Sequence, residues 1–311
     1  MPLHLVPRQL QYIEAVAQHG SVQAASRALG IAASAIDRQI HSLEDSSQTQ
    51  LFERHPRGMR LTVAGEAIVV MSRRWRADAE RLDNELRDMR GLEQGTVRIA
   101  AMDSLVNGLL PELVDWLQNN HPRIRLSVDI MTPAAAAEAL DEGTVDLVLA
   151  FNLTQSRFQH RVWSWQLPFG CAVAPGHPLG QATEVTLQDI SAHPTASQSS
   201  ILPIRQYFDN RHAWFFSQNE PMLITNSLQL LKQAVILGKL VLITSRLDVL
   251  PELESGTLVF VPLRERVLNE QNVSINVDTR RSLTRAARIT SEKMADIATK
   301  LLEETEHALQ D

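Results

Sequence analysis

The sequence predicts a multidomain protein with three parts: an all-α module at the N-terminus, a long connecting helix and an α/β region that fills the rest of the chain. Three observations predict it. Residues 7–45 read as short helices punctuated by Pro7, Gly20 and Gly30. From Glu66 to Glu93 there is no proline, and no glycine before Gly91, while apolar residues recur at alternating spacings of three and four. From about Gly95 onward, short β-rich runs alternate with helical ones, which indicates a sheet with parallel pairs.

The first helix, in PRQLQYIEAVAQHG, is opened by Pro7 and closed by Gly20, with Leu10, Ile13 and Val16 on one face. Ser21 is a good N-cap for a second helix, Val22–Leu29, because its hydroxyl can accept from a free backbone N–H. Gly30 suits a left-handed C-cap. A third helix runs from about Ala32 to Asp45. Ala32, Ala35, Ile36, Ile40 and Leu43 form its apolar face, and Ser34, Asp37, Arg38 and His41 lie opposite. Helix, tight turn and helix with a polar outer face are the parts of a helix-turn-helix, although ordinary helical corners share the pattern. In the motif the second of the two helices enters the DNA major groove. Downstream, in LFERHPRGMRLTVAGE, Pro56 and Gly58 mark a turn between two short extended pieces. They make a wing with Arg54, Arg57 and Arg60 near its tip. The module is therefore a winged helix-turn-helix over residues 1–65.

The run through Arg8–Gln9–Leu10, Gly20–Ser21, Ala24–Ala25, Leu29, Arg38–Gln39–Ile40, Leu43–Glu44, Leu51–Phe52–Glu53–Arg54, Arg57–Gly58, Leu61–Thr62 and Ala64–Gly65 resembles the N-terminal domain of LysR-type transcriptional regulators. The resemblance continues more loosely to the C-terminus. It implies double-stranded operator DNA, a small-molecule effector, a second copy of the chain and RNA polymerase as partners. The DNA-facing candidates are Arg27, Ala33, Ser34, Asp37, Arg38, His41, Arg54 and Arg57. Family members commonly begin the recognition helix with Ser-Gln-Pro-Ala-Leu-Ser-Arg, where this chain has Ala32–Ala33–Ser34–Ala35–Ile36–Asp37–Arg38. The glutamine that would reach a base is replaced by Ala33, and the serine before the arginine by Asp37. Arg38 remains and can pair with guanine or phosphate. Asp37 can accept from a cytosine amino group or pair with His41 one turn on. The operator is expected to differ in sequence from those of typical members.

In the connecting segment, assigned to residues 66–94, Ile68, Met71, Trp75, Ala79, Leu82, Leu86 and Met89 form a heptad-like stripe. The stripe suits either the core of a helix lying on its own domain or a dimerisation face. The length and the charge on both flanks favour dimerisation through Ile68, Met71, Trp75, Leu82, Leu86 and Met89, as the resemblance implies. A homodimer, or a homotetramer built from it, would present two recognition helices to a roughly palindromic operator.

Composition fits a globular protein: 21% of residues are charged, 44% are hydrophobic and the net charge is −6. Residues 1–95 hold twelve arginines, no lysine and twelve acids, so the remainder carries the whole −6. That is weak electrostatics for a nucleic-acid module, and dimerisation would double the phosphate contacts. The single cysteine, Cys171 in FGCAVA, excludes an intramolecular disulfide and reads as a small core hydrophobe. No apolar run approaches a membrane span, and the expected location is cytoplasmic. Histidine spacing suggests no zinc site, and no cofactor is implied.

The α/β region reads as strand 96–101, helix 105–119, strand 125–130, helix 133–140, strand 145–150 and a strand region 163–174. Segments at 187–190 and 194–196 come next. They are followed by a helix at 203–214, a strand at 222–225, a helix through Gly238, strands at 240–244, 258–262 and 273–277, and a last helix at 284–301. The layout resembles the family's effector domain, which implies two hinged α/β lobes, here 95–164 plus 267–311, and 165–266. Ligands in such sheets sit beyond the carboxyl ends of the strands. Four loops are expected there: 102–104, 131–133, 197–200 and 225–227. The candidate effector residues are Ser104, Thr132, Asn152, Ser197, Gln198, Ser199, Ser200 and Asn226. A carboxylate could be held by Ser104 and by Ser199 or Ser200, so the expected effector is a small organic anion or polar metabolite. The same hydroxyls are also ordinary helix caps, Asn152 could merely end a strand, and Asp103 opposes a simple carboxylate site.

No GxGxxG after a strand, phosphate loop, HExxH or GxSxG occurs, and no acid/base constellation stands out. The sequence therefore reads as a transcriptional regulator and not an enzyme. The alternative is a small-molecule-binding protein or enzyme on the two-lobed fold with vestigial DNA binding.

Overall fold

The computed structural model describes residues 6–55, 58–88, 95–106, 108–154, 156–264 and 271–307. They divide into two compact units, one built on the N-terminal helices and wing and the other on two sheets.

In the first unit α1 (Arg8–His19), α2 (Val22–Leu29) and α3 (Ala33–Ser47) pack around Ile13, Val16, Ala25, Ile36 and Ile40, all at most 2% exposed. Burial of each isoleucine contributes on the order of 1.5–3 kcal/mol. The Ser21 hydroxyl accepts from the Ala24 N–H at 3.2 Å and starts α2. Gly30 ends it in the left-handed region at φ 66°. The Ser26 hydroxyl donates to the Ile31 carbonyl at 2.6 Å across the turn into α3. β1 (Phe52–His55) and β2 (Gly58–Leu61) pair antiparallel as the wing. Gly58 is obligatory here: its φ is +130°, and a Cβ would meet the Gly20 carbonyl oxygen at 2.3 Å. The wing is held to the α1–α2 corner by the Met59 N–H, which donates to that same carbonyl at 2.7 Å.

α4 (Val63–Asp88) begins three residues earlier than its sequence pattern suggests, because Thr62 caps it: the Thr62 hydroxyl accepts from the Gly65 N–H at 3.1 Å. Arg76 of α4 is paired with Glu14 of α1. Of the expected stripe, Ile68 packs partly against the N-terminal core. Met71, Trp75, Leu82 and Leu86 are each 39–46% exposed in the single chain. Arg57 and Met89 lie outside the described residues, as do Pro56 and the end of the connecting segment.

The second unit opens with β3 (Gly95–Ala101), α5 (Leu109–Asn120), β4 (Ile124–Ile130), α6 (Pro133–Glu142), β5 (Leu147–Phe151), β6 (Gln159–Leu167) and β7 (Phe169–Val173). It continues with α7 (Leu187–Ser191), β8 (Thr195–Gln198), α8 (Pro203–Arg211), α9 (Ala213–Gln218), β9 (Leu223–Thr225), α10 (Leu228–Ile236) and β10 (Val241–Ser245). α11 (Leu250–Glu254), β11 (Val259–Pro262), β12 (Gln271–Asp278) and α12 (Arg285–His307) complete it. The first sheet has the order β4-β3-β5-β12-β6, with β3 parallel to β4 and β5, and β12 antiparallel to β5 and β6. The second has the order β11-β7-β10-β8-β9, with β8 parallel to β9 and β10.

The 163–174 strand region is in fact two strands. Pro168 cannot donate to a ladder, and the chain changes sheets there, so β6 stays in the first sheet as far as Leu167. The expected changeover at 164/165 falls inside β6, and that at 266/267 lies outside the described residues. The 187–190 segment is the helix α7, fixed by a capping box between Thr186 and Asp189. Cys171 is fully buried in β7, and burial pushes its thiol up to about 12, which removes it from thiolate chemistry.

Candidate functional site

Two places concentrate polar side chains. The first is the outer face of α3. Ile36 and Ile40 turn into the core, and the helical repeat then leaves Ser34, Asp37, Arg38 and His41 exposed. Ala33, the first residue of α3, is half-buried. Arg27 is exposed in the last turn of α2, and β1 sets Arg54 in register with Met59. His41 Nδ1 lies 2.9 Å from the Asp37 main-chain oxygen and 3.6 Å from its carboxylate. These two, the carbonyl first, raise the His41 pKa above its usual 6.5. Asp37 thus meets His41 one turn along the helix, one of the two pairings its position allows.

The second place lies at the carboxyl ends of parallel strands from both sheets. Met102–Ser104 follows β3, Thr132 follows β4, Gln198 ends β8 and Asn226 follows β9. Ser104, Thr132, Gln198 and Asn226 line one cavity of about 180 Å³, together with Asp103. A neighbouring cavity of about 600 Å³ shares Thr132 and Ile201 with it and is also lined by Asn152, Gln206, Tyr207 and Arg211.

Several expected roles need correction. Ser197 and Gln198 are inside β8 and not in the loop after it. The Ser197 hydroxyl is buried and donates to the Gln198 carbonyl at 3.1 Å. Ser197, Ser199 and Ser200 line neither cavity, because strand alternation and the turn into α8 aim them elsewhere. Ser199 donates its N–H to the Thr225 carbonyl at 3.0 Å, and its hydroxyl is buried without a partner among the described residues. Thr132 also caps α6, accepting from the Ala135 N–H at 3.4 Å. Asn152 takes the left-handed region at φ 49°, and its Oδ1 accepts from the Asn272 N–H at 2.9 Å.

The Ser104 hydroxyl is already engaged, being hydrogen-bonded to the carboxyl of Asp248. Asp248 sits on the short turn after β10. It also accepts from the Thr244 hydroxyl at 2.5 Å and the Ser245 N–H at 3.0 Å. Burial raises the Asp248 pKa, and the hydrogen bonds oppose that. Its neighbour Leu247 packs into the core of the first sheet, while Val249 packs into that of the second. This turn therefore ties the two sheets together directly behind the small cavity. No local pattern pointed to Asp248, whose role depends on contacts remote in the chain. The α8 residues were discoverable: Gln206, Tyr207, Asn210 and Arg211 stand at i, i+1, i+4 and i+5, the spacing of one helix face.

Comparison with known proteins bears on both places. Residues 7–66 match the model of the bacterial regulatory helix-turn-helix of the lysR family, and residues 90–294 match the LysR substrate binding domain. The chain belongs to the LysR family of transcriptional regulators. A RuBisCO operon transcriptional regulator of Allochromatium vinosum is 28% identical to this LysR-type chain over 262 residues, covering 83% of it and 85% of the relative. A probable RuBisCO transcriptional regulator of Porphyra purpurea is 24% identical over 292 residues, covering 92% of each. In fold this chain is similar to full-length CbnR in complex with its target DNA, with a TM-score of 0.65 at 19% identity over 93% of this chain and 98% of that one. The family and these relatives are regulators and not enzymes, so the alternative of a small-molecule-binding protein or enzyme with vestigial DNA binding is not favoured. Among the described residues no helix is long and apolar enough to cross a membrane.

Proposed function

We propose that this LysR-type regulator reads a roughly palindromic operator through Ser34, Asp37, Arg38 and His41 on α3. The half-buried Ala33 contributes shape there and no hydrogen bond. Arg27, Arg54 and Arg57 supply phosphate contacts that set the register. Two copies pair through the α4 stripe, and a tetramer is a pair of such dimers. A small polar metabolite in the cleft at Ser104, Thr132, Asn152, Gln198 and Asn226 controls the protein by favouring one of two arrangements of the α/β region. RNA polymerase is the downstream partner and the cytoplasm the compartment.

The observation that carries this reading is the row of four exposed polar side chains on a helix whose other face is core. DNase footprinting of the full chain on DNA upstream of its own gene tests it. The expected result is protection of a short interrupted palindrome, whose length reports dimer or tetramer. Diffuse, salt-sensitive protection with no preferred sequence would defeat the proposal.

A further inference from the structure

We propose that the cleft is bipartite and that the larger cavity, beside α8, receives an anionic end of the ligand, a carboxylate or a phosphate monoester, with Arg211 as its cationic partner. This rests on reading the cleft as the effector site, and it moves the anion away from Ser104.

Charge separates the two cavities. Among the described residues the smaller one is lined by Asp103 and by no cation, so a carboxylate entering it meets a like charge. The larger one, among the described residues, is lined by Arg211 and by no acid. A ligand with hydroxyl or amine donors at one end and an anion at the other is complementary to both. Thr132 and Ile201 belong to both linings, so a single molecule can span them.

Arg211 is held ready for such a role. Its guanidinium carbon stands 4.6 Å from the centre of the Tyr207 ring. Stacking of this kind fixes the guanidinium plane and leaves its in-plane N–H donors for a carboxylate or phosphate. No ion pair among the described residues claims it. Arg205, earlier on the same helix, differs: it lies 3.9 Å over the Phe216 ring and spends its Nε on Asp209 at 2.8 Å. A second observation points the same way. The Tyr207 side chain lines the larger cavity, and its hydroxyl is buried without a partner among the described residues. An unpaired buried hydroxyl is costly, and a ligand oxygen within reach would relieve it. Gln206 and Asn210, one turn apart on α8, line the same wall with uncharged amide donors.

Calorimetric titration of the full chain with inorganic phosphate, with succinate and with uncharged 1,4-butanediol tests the site. Saturable binding of phosphate or succinate, and none of butanediol, is expected. Arg211→Gln should weaken it by about tenfold or more. Arg211→Lys should keep part of it. Tighter phosphate binding would mark a phosphate monoester as the ligand, and tighter succinate binding a carboxylate. Because Arg211 is exposed, its variants should unfold at the wild-type temperature. Equal binding by wild type and Arg211→Gln, or no binding of either anion to wild type, would overturn the proposal. An operator response to an effector that survives Arg211→Gln would keep the effector reading and overturn this site. Anion binding through Arg211 with an unchanged footprint would keep the site and overturn its regulatory role.

Discussion

The carboxylate of Glu44, near the end of α3, accepts the backbone N–H of Leu51 at 2.8 Å. The same oxygen also receives the Phe52 N–H at 3.3 Å. Leu51 is 1% exposed, so no water replaces that bond, and the recognition helix and the start of the wing form one rigid piece. Glu44→Ala should destabilise the N-terminal unit by about 1–3 kcal/mol in urea unfolding. Glu44→Gln, which keeps an acceptor, should lose less. Identical unfolding of Glu44→Ala and wild type would show the bond to be energetically idle.

Arg38→Ala should weaken operator binding by about 1–3 kcal/mol if its guanidinium pairs with guanine, with the loss confined to sites carrying that base. If it pairs with phosphate, binding should fall on all sequences and the salt slope should shrink by about one. Binding titrations at several salt concentrations separate the cases, and an unchanged affinity and slope would remove Arg38 from the interface.

The place proposed for His41 at the operator predicts pH-dependent DNA binding. Because Asp37 raises its pKa, the imidazolium and its interaction with Asp37 are fully present below the ordinary value near 6.5. They are lost as pH rises through the raised one. A cation on this face favours phosphate, so operator affinity should increase as pH falls through that window. His41→Gln should flatten the dependence, and Asp37→Asn should move its midpoint down. Matching pH profiles for wild type and His41→Gln would refute this.

Asp248 should couple the α/β region's stability to pH in the direction unusual for a carboxylic acid. Burial raises its pKa, so its contribution is present below the usual carboxyl range and lost as pH rises through the raised value. Relative to Asp248→Asn, wild type should therefore lose stability across that rise in urea unfolding. Asp248→Ala should cost about 1–3 kcal/mol by leaving the Thr244 hydroxyl and the Ser245 N–H unpaired. Parallel stability profiles for wild type and Asp248→Asn would contradict the linkage.

Trp75 and Leu82, seven residues apart on α4, are both exposed in the single chain. Leu82→Glu or Trp75→Glu should shift the protein towards monomer in sedimentation velocity and lower operator affinity with it, because one recognition helix then holds half the contacts. A mass unchanged from wild type at micromolar concentration would place the dimer contact elsewhere.

The sequence by itself determined most of the elements and which side chains of α3 face outward. Three-and-four spacing placed Ile36 and Ile40 inside and Arg38 outside, because a helix repeat fixes which residues share a face whatever the helix packs against. Strand-helix alternation likewise placed Ser104, Thr132 and Asn226 beyond strand ends, since parallel strands need crossovers and their loops gather at one edge. Local patterns did not show that Pro168 divides one apolar run between two sheets, or that Ser197 is spent inside β8. Only the tertiary structure decided that the Ser104 hydroxyl belongs to Asp248, and that Arg211 stands on Tyr207 beside a cavity whose described lining holds no acid. Those relations join residues far apart in the chain, or on walls supplied by different sheets. Their chemistry comes from burial and from neighbours that exist only once the chain has closed on itself.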